Sequence, residues 1–350
     1  MDGLLALKIA VALAPAPMLL ALFAFLDVFR LMSLKELAVL ILLGAIAAIA
    51  VFPISGGLLD TLPIGFSSYS RHVAPWLEEI VKGVVVIGLF ATNRIGFKLD
   101  GAISGFAIGV GFAVVENMLY LSSFAELGLG VWLVRGFGTA VMHGGATALF
   151  AVISHELTER QSRSHAARWR LELVRYLPGL MVAASVHLIF NQFPDQPMLA
   201  MLGSLLLVPL TLLMVFRFGE AESREWLVTD SSGHRARLET LQREGFAGDE
   251  SGSIREALER RFHGRVPPGV IEEYIEVHTQ LVLRAEARLQ GLADGKRPQI
   301  DDDDRAALAR FAELKKQLGK AVLAALAPSL PFSRNDLWEV REYEADVRAG

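Results

Sequence analysis

Seven apolar stretches fall at roughly residues 9–29, 37–54, 75–92, 101–122, 131–153, 176–193 and 198–216. A helix rises about 1.5 Å per residue, so runs of about 20 apolar residues cross the hydrocarbon of a bilayer. Charge or turn residues mark their ends: Arg30 and Lys35, Pro75, Arg94 through Asp100, Arg135, Arg175, and Pro194 through Pro197. Pro15 and Pro17 lie inside the first run and predict a kink there. Beyond residue 217 the pattern changes. Apolar residues at three- and four-residue spacing with charges between them predict helices over 235–246, 253–262 and 270–290. A linker follows over 291–298. The acids at 301–304 suit the N-terminus of a helix running through Leu326 and stopping before Pro328.

The pattern therefore predicts an all-α, polytopic membrane helix bundle of about seven spans with a helical soluble C-terminal segment. Residues 1–217 form the membrane domain and residues 218–350 a helical tail. Composition agrees, with 53% hydrophobic and 21% charged residues and a mean hydropathy of +0.41. Charge is also unevenly placed: 26 of the first 216 residues are charged, against 46 of the remaining 134. A net charge of −4 gives no basic field for nucleic acid. The absence of Cys removes thiolate nucleophiles, disulfides and cysteine metal sites. With Asp2 where a basic n-region belongs, and a first apolar run too long for an h-region, no cleavable signal peptide is expected.

The distribution of cations orients the chain. Connections after spans one, three, five and seven carry eleven Lys and Arg; the opposite connections carry Arg71 and Arg135. The positive-inside rule then places the N-terminus outside and the tail in the cytoplasm.

Against this apolar background, spans three to six carry Glu78, Glu79, Lys82, Glu116, His143 and His187. An intramembrane charge costs about 2.5–3.5 kcal/mol on insertion scales, so such residues persist where they are paired or functional. Glu78, Glu79 and Lys82 share one helix face. Phe112, Glu116 and Tyr120 form a stripe beside Asn117, with Gly101, Gly105 and Gly109 on a small-residue ridge that permits close helix contact. His187 is followed one turn later by Asn191. At about 1.5 Å per residue, Glu79 lies about 6 Å below the outer end of its span, Glu116 and His187 about 9–10 Å, and His143 about 12–18 Å. Antiparallel helices thus bring their polar groups to the same outer half of the bilayer. His155-Glu156 begins like a zinc-protease HExxH motif, but Glu159 replaces the second His, and it lies at the cytoplasmic end of span five. No span carries a GxGD aspartyl or GxSG serine signature. Buried Glu, His and Lys also suit an ion-coupled transporter, although matching halves with paired broken helices are missing.

Taken in order, Glu78-Glu79-x-x-Lys82, Phe112-x-x-x-Glu116-Asn117-x-x-Tyr120, His143 and His187-x-x-x-Asn191 resemble the PrsW family of bacterial intramembrane proteases. That family is distantly related to the type II CAAX prenyl endopeptidases. The resemblance covers roughly residues 1–216. The CAAX branch usually has Arg one residue beyond the Lys82 position and His at the Glu116 position, so the pattern leans to the PrsW side. It implies site-1-type cleavage of a membrane-anchored protein, such as an anti-sigma factor, near its outer face and within membrane lipid. On this reading Glu79, assisted by Glu78 or Glu116, is the general base. His187, steadied by Asn191, stabilises the oxyanion or donates a proton, and His143 completes the cage around the water. In the metal-dependent version Glu116, His143 and His187 hold Zn²⁺; in the other the glutamates act alone.

Overall fold

The computed structural model describes residues 3–26, 32–164, 172–193, 195–244, 269–296, 299–326, 330 and 332–349. The architecture is helical, with no strand among the described residues. In chain order the membrane part contains α1 (Gly3–Leu13), α2 (Pro15–Leu26), α3 (Leu34–Thr61), α4 (Phe66–His72), α5 (Ala74–Ala91) and α6 (Lys98–Ser123). Then follow α7 (Leu129–Leu133), a π-helical turn (Val134–Thr139), α8 (Ala140–Ser164), α9 (Leu177–Asn191) and α10 (Pro197–Glu244). The tail adds α11 (Val270–Ala293), α12 (Asp302–Leu326) and α13 (Arg334–Ala349).

Among the described residues, five segments have the length and apolarity of membrane spans: Leu34–Thr61, Lys98–Ser123, Leu129–Thr158, Leu173–Asn191 and Pro197–Met214. At 18 residues, α5 is long enough but carries Glu78, Glu79 and Lys82. The first apolar run is two short helices that part at Ala14, just before Pro15. Proline has no N–H for the preceding turn and its ring crowds it, which is why the run divides there.

Helix α6 is the centre of the bundle. Leu99 through Ala113 are all buried, and glycines bring its neighbours to backbone contact. A Cβ on Gly44 of α3 would strike the Ile108 carbonyl, and one on Gly111 would strike that of Ile41. A serine-glutamate capping box, Ser33 with Glu36, starts α3. Outward-facing apolar side chains such as Ile46, Ile49, Leu206 and Leu207 are exposed, as a helix facing lipid requires.

Contacts divide the chain into two units, Met1–Thr158 with Leu171–Glu220, and Glu159–Arg170 with Ala221–Gly350. Helix α10 runs unbroken for 48 residues through the compositional change near residue 217 and takes in the expected helix start at 235. The expected helix at 253–262 lies outside the described residues. In the tail, Leu281, Val282, Leu314, Leu326, Val340 and Tyr343 pack one core. The acid run caps α12 as expected: the Asp304 amide donates to Asp301 Oδ1 at 2.8 Å and the Asp301 amide donates back to Asp304 Oδ2 at 3.0 Å. Helix α12 kinks at Gly319, whose φ of 72° suits glycine.

His234 lies buried between two tail acids, its Nδ1 2.8 Å from Glu286 and its Nε2 3.4 Å from Asp336. Burial alone would lower its pKa, but hydrogen bonds to Asp336 and Glu286 and their charges outweigh that and raise it to about 10. His278, packed against the Phe332 ring at 3.9 Å, has its pKa lowered by burial to about 3.

Candidate active site

Helix α5 supplies three of the polar groups. Glu79 and Lys82 face inward and are 2% and 0% exposed. Lys82 Nζ donates to Glu79 Oε1 at 2.5 Å and to His143 Nδ1 at 2.9 Å, and sits 4.7 Å from the centre of the Phe112 ring. An ammonium can only donate. His143 Nδ1 therefore carries a lone pair and its proton resides on Nε2, which donates to Glu116 Oε2 at 2.9 Å.

The second histidine has the opposite arrangement. His187 Nδ1 lies 3.0 Å from Glu79 Oε1, a carboxylate oxygen that accepts, so the proton is on Nδ1. Its Nε2 lone pair then faces Glu78 Oε2 at 3.8 Å. The two imidazoles meet edge to face, with ring centres 4.7 Å apart. One carboxylate backed by lysine thus fixes the tautomer of His187, and that lysine fixes the tautomer of His143. Outer groups commonly control histidine ligands in this way.

Glu116 is held from its other side by Arg135, whose guanidinium nitrogen lies 3.1 Å from Oε1. Arg135 lies over the Tyr120 ring at 3.6 Å and donates from Nε to Asn117 Oδ1 at 3.0 Å. Asn117 donates in turn to the Ala12 and Arg135 carbonyls. Arg135 was not among the sequence candidates, where it counted only as a charge near a span end. The wide turn at Val134–Thr139 explains why. In a regular helix, residues eight apart are rotated by about 80° from each other; a π turn absorbs one extra residue, leaving about 20°. Arg135 and His143 consequently reach the same glutamate from one side of the helix.

The height of these groups is set by the glycine ridge. A Cβ on Gly105 would lie 2.5 Å from the Thr147 carbonyl oxygen and 2.8 Å from Ala148 Cα. One on Gly109 would meet the His143 carbonyl, and Gly101 packs near Ala151. Helices α6 and α8 therefore touch backbone to backbone beside Glu116 and His143, the close contact that small residues permit in a membrane.

A cavity of about 540 Å³ opens onto this cluster. Glu78, Glu116, Arg135, His143, His187 and Asn191 line it, among walls that include Phe52, Phe66, Phe112 and Phe190. Glu79 and Lys82 are not in the lining; they stand behind it. Asn191, expected to steady His187, instead donates to the Ser70 carbonyl at 2.9 Å and so ties α9 to α4. In the HExxH-like segment, His155 bonds the Gly96 carbonyl at 2.8 Å and Glu156 pairs with Lys98 at 2.6 Å, which closes the α5–α6 connection against α8.

Glu78, His143 and His187 can each offer a ligand atom, all within 4.8 Å of one another. The sequence expectation placed Glu116 in that set; here Glu116 is occupied by His143 and Arg135, and Glu78 is the available acid. Glu78 Oε2 is buried and makes no hydrogen bond among the described residues, a costly state for a carboxylate unless something else engages it. Two imidazoles and one carboxylate form a donor set suited to Zn²⁺. His187 and Glu78 hold free lone pairs, whereas His143 would release Lys82 or Glu116 to coordinate.

The family model described as PrsW family intramembrane metalloprotease matches residues 33–215, more than half of the chain, and covers all of these residues. No curated protein and no solved structure matches the chain.

Proposed function

The chain belongs to the PrsW family of intramembrane metalloproteases, and we propose that it hydrolyses a peptide bond in a membrane-anchored protein near the extracytoplasmic face. The eleven-to-two distribution of cations supports that orientation, with the tail in the cytoplasm. Membrane-anchored regulators such as anti-sigma factors, cut in a site-1-type event, are the substrate class this orientation suits. The observation that carries the reading is Glu78 Oε2, buried without a hydrogen bond among the described residues and facing Nε2 of His187 at 3.8 Å beside the cavity. Glu78, rather than the more deeply held Glu79, takes the role of general base toward water. Glu79 is a positioning group: it keeps the Nδ1 proton on His187, and its charge is matched by Lys82.

Glu78 through one carboxylate oxygen, with His143 and His187, would hold the divalent ion, Zn²⁺ by donor type, which when bound supplies Lewis acidity toward the scissile carbonyl, and the other Glu78 oxygen would then accept the proton of water. Glu116 and Arg135 keep the proton of His143 on Nε2, and Arg135, paired with the same glutamate as His143, brings a cation to the lining where negative charge develops. The apolar walls exclude bulk water and accept the side chains of an unwound substrate segment. Nothing observed favours the transporter alternative.

The test is a comparison of membranes containing the wild-type protein with membranes containing Glu78→Gln. The expected result is at least one membrane-anchored protein shortened at its extracytoplasmic side only in the presence of the wild type. Identical membrane proteomes, together with no cleavage of reporters by the purified protein in vesicles, would refute the proposal.

A further inference from the structure

We infer that Arg71 is a specificity-determining residue that receives a carboxylate of the substrate beside the scissile bond. This deepens the protease reading and rests on it. The cavity lining holds two cations, Arg71 and Arg135. Arg135 is matched by Glu116 and covered by Tyr120. Arg71 lines the same cavity, at the end of α4, and its side chain makes no ion pair or hydrogen bond among the described residues.

The position of Arg71 is built rather than incidental. The Asn191 amide donates to the Ser70 carbonyl at 2.9 Å, and the Gln192 amide donates to the Arg71 carbonyl at 3.4 Å. Tyr69 is joined to Ser55 of α3 through their hydroxyls at 2.7 Å. Two amides on α9 thus hold the end of α4 at a point about 6 Å along the helix from His187, one turn away. Arg71 therefore has a fixed relation to the imidazole at the reacting centre.

Its chemistry selects an anion. Arg71 is half-buried and lines a cavity whose walls include Phe66, Phe190 and Phe193, and the planar fork of a guanidinium matches a carboxylate with two parallel hydrogen bonds. Glu78 and Glu116 already place negative charge in the cavity. An acidic substrate residue would be repelled there unless a cation met it, and Arg71 is the cation not already matched. Sharing one cavity with the hydrolytic groups favours a substrate carboxylate over a lipid phosphate.

The experiment uses single-span reporter peptides of one sequence, carrying Glu, Gln or Lys in turn at each position near the outer end. They are presented to the full-length protein in phosphatidylcholine vesicles and in vesicles containing phosphatidylglycerol. Cleavage is read as kcat/KM, and binding is read by fluorescence with Glu78→Gln protein. At one position or more the Glu reporter is expected to be favoured over Gln by about tenfold in both assays. Arg71→Gln abolishes the preference, Arg71→Lys restores part of it, and Arg71→Glu shifts it toward the Lys reporter. An unchanged Glu preference in Arg71→Gln overturns the inference. So does binding with no charge preference at any position. A requirement for phosphatidylglycerol that depends on Arg71 but not on reporter charge also overturns it, in favour of a lipid phosphate. Reporters bound with the expected preference yet never cleaved by the wild type would sink the protease reading and leave the Arg71 assignment standing.

Discussion

Glu78 and Glu79 are neighbours in sequence, yet the structure gives them opposite surroundings, and their amide variants should separate activity from stability. Glu79 Oε1 receives Lys82 at 2.5 Å and His187 at 3.0 Å. In Glu79→Gln, Lys82 remains fully buried with its counter-ion removed, a change that costs about 3–5 kcal/mol when one partner of a buried pair is lost. His187 loses the acceptor that fixes its tautomer, and removal of such an outer partner lowers activity about 10–100-fold. Glu78 Oε2 makes no hydrogen bond among the described residues. Glu78→Gln should therefore leave stability unchanged or raise it by about 1 kcal/mol, because an unsatisfied buried acceptor is itself destabilising. Activity should fall at least about 10³-fold with loss of the base. The assay is reporter cleavage in vesicles beside thermal unfolding of the same detergent-purified proteins. A stable but only mildly impaired Glu78→Gln, with a stable and inactive Glu79→Gln, would refute the assignment and return the role of base to Glu79.

Four further outcomes are expected. Gly105→Ala places a Cβ 2.5 Å from the Thr147 carbonyl oxygen; α6 and α8 must part, at about 1–3 kcal/mol, and cleavage should fall because a 1 Å misplacement can cost about 10²-fold. Full activity in that variant would show that the α6–α8 contact does not position Glu116 and His143. Arg135→Gln should lower cleavage about 10–100-fold, with little rescue by Arg135→Lys, which lacks both the ring stacking and the fork; kcat for the three proteins decides it. Chelator dialysis should remove activity and Zn²⁺ should restore it, while elemental analysis should find less bound metal in His187→Ala than in the wild type. In the tail, the pKa of His234 is raised above its usual 6.5 to about 10. Its stabilising contribution is thus complete below about pH 6.5 and lost as pH climbs toward 10. Hydrogen exchange in Arg334–Ala349, corrected for the intrinsic rate, should show protection falling over that range in the wild type and not in His234→Gln.

Much of the site could be read from the sequence because apolar surroundings make charge conspicuous. Glu78, Glu79, Lys82, Glu116, His143 and His187 stand out against lipid-soluble neighbours, and all six come together in the structure. The family resemblance agrees with the match over residues 33–215. Spacing alone did not reveal which of two adjacent acids faces the cavity. Residues one apart are rotated by about 100°, and the choice depends on how α5 is turned against α6 and α9. Arg135 was hidden because the wide turn breaks the angular rule by which side chains are assigned to a face. Asn191 was read as a partner of His187 from their i, i+4 spacing, whereas its amide reaches a carbonyl 121 residues away in sequence. In the tail, α13 is more polar than α11 and α12 and escaped notice, although Trp338, Val340 and Tyr343 bury themselves.

The π turn at Val134–Thr139 makes register, not composition, the vulnerable property of this stretch. Closing the turn into an ordinary helix with every residue retained would leave composition and hydropathy unchanged. That closure would swing Arg135 about 100° around the helix axis relative to His143 and strand Glu116, whereas a closure that also dropped one residue would keep the two within about 20°. A rearrangement that no measure of composition registers would thus dismantle the charge balance of the chamber, and within the turn Gly136 admits no side chain, since a Cβ there would strike the Val11 carbonyl oxygen.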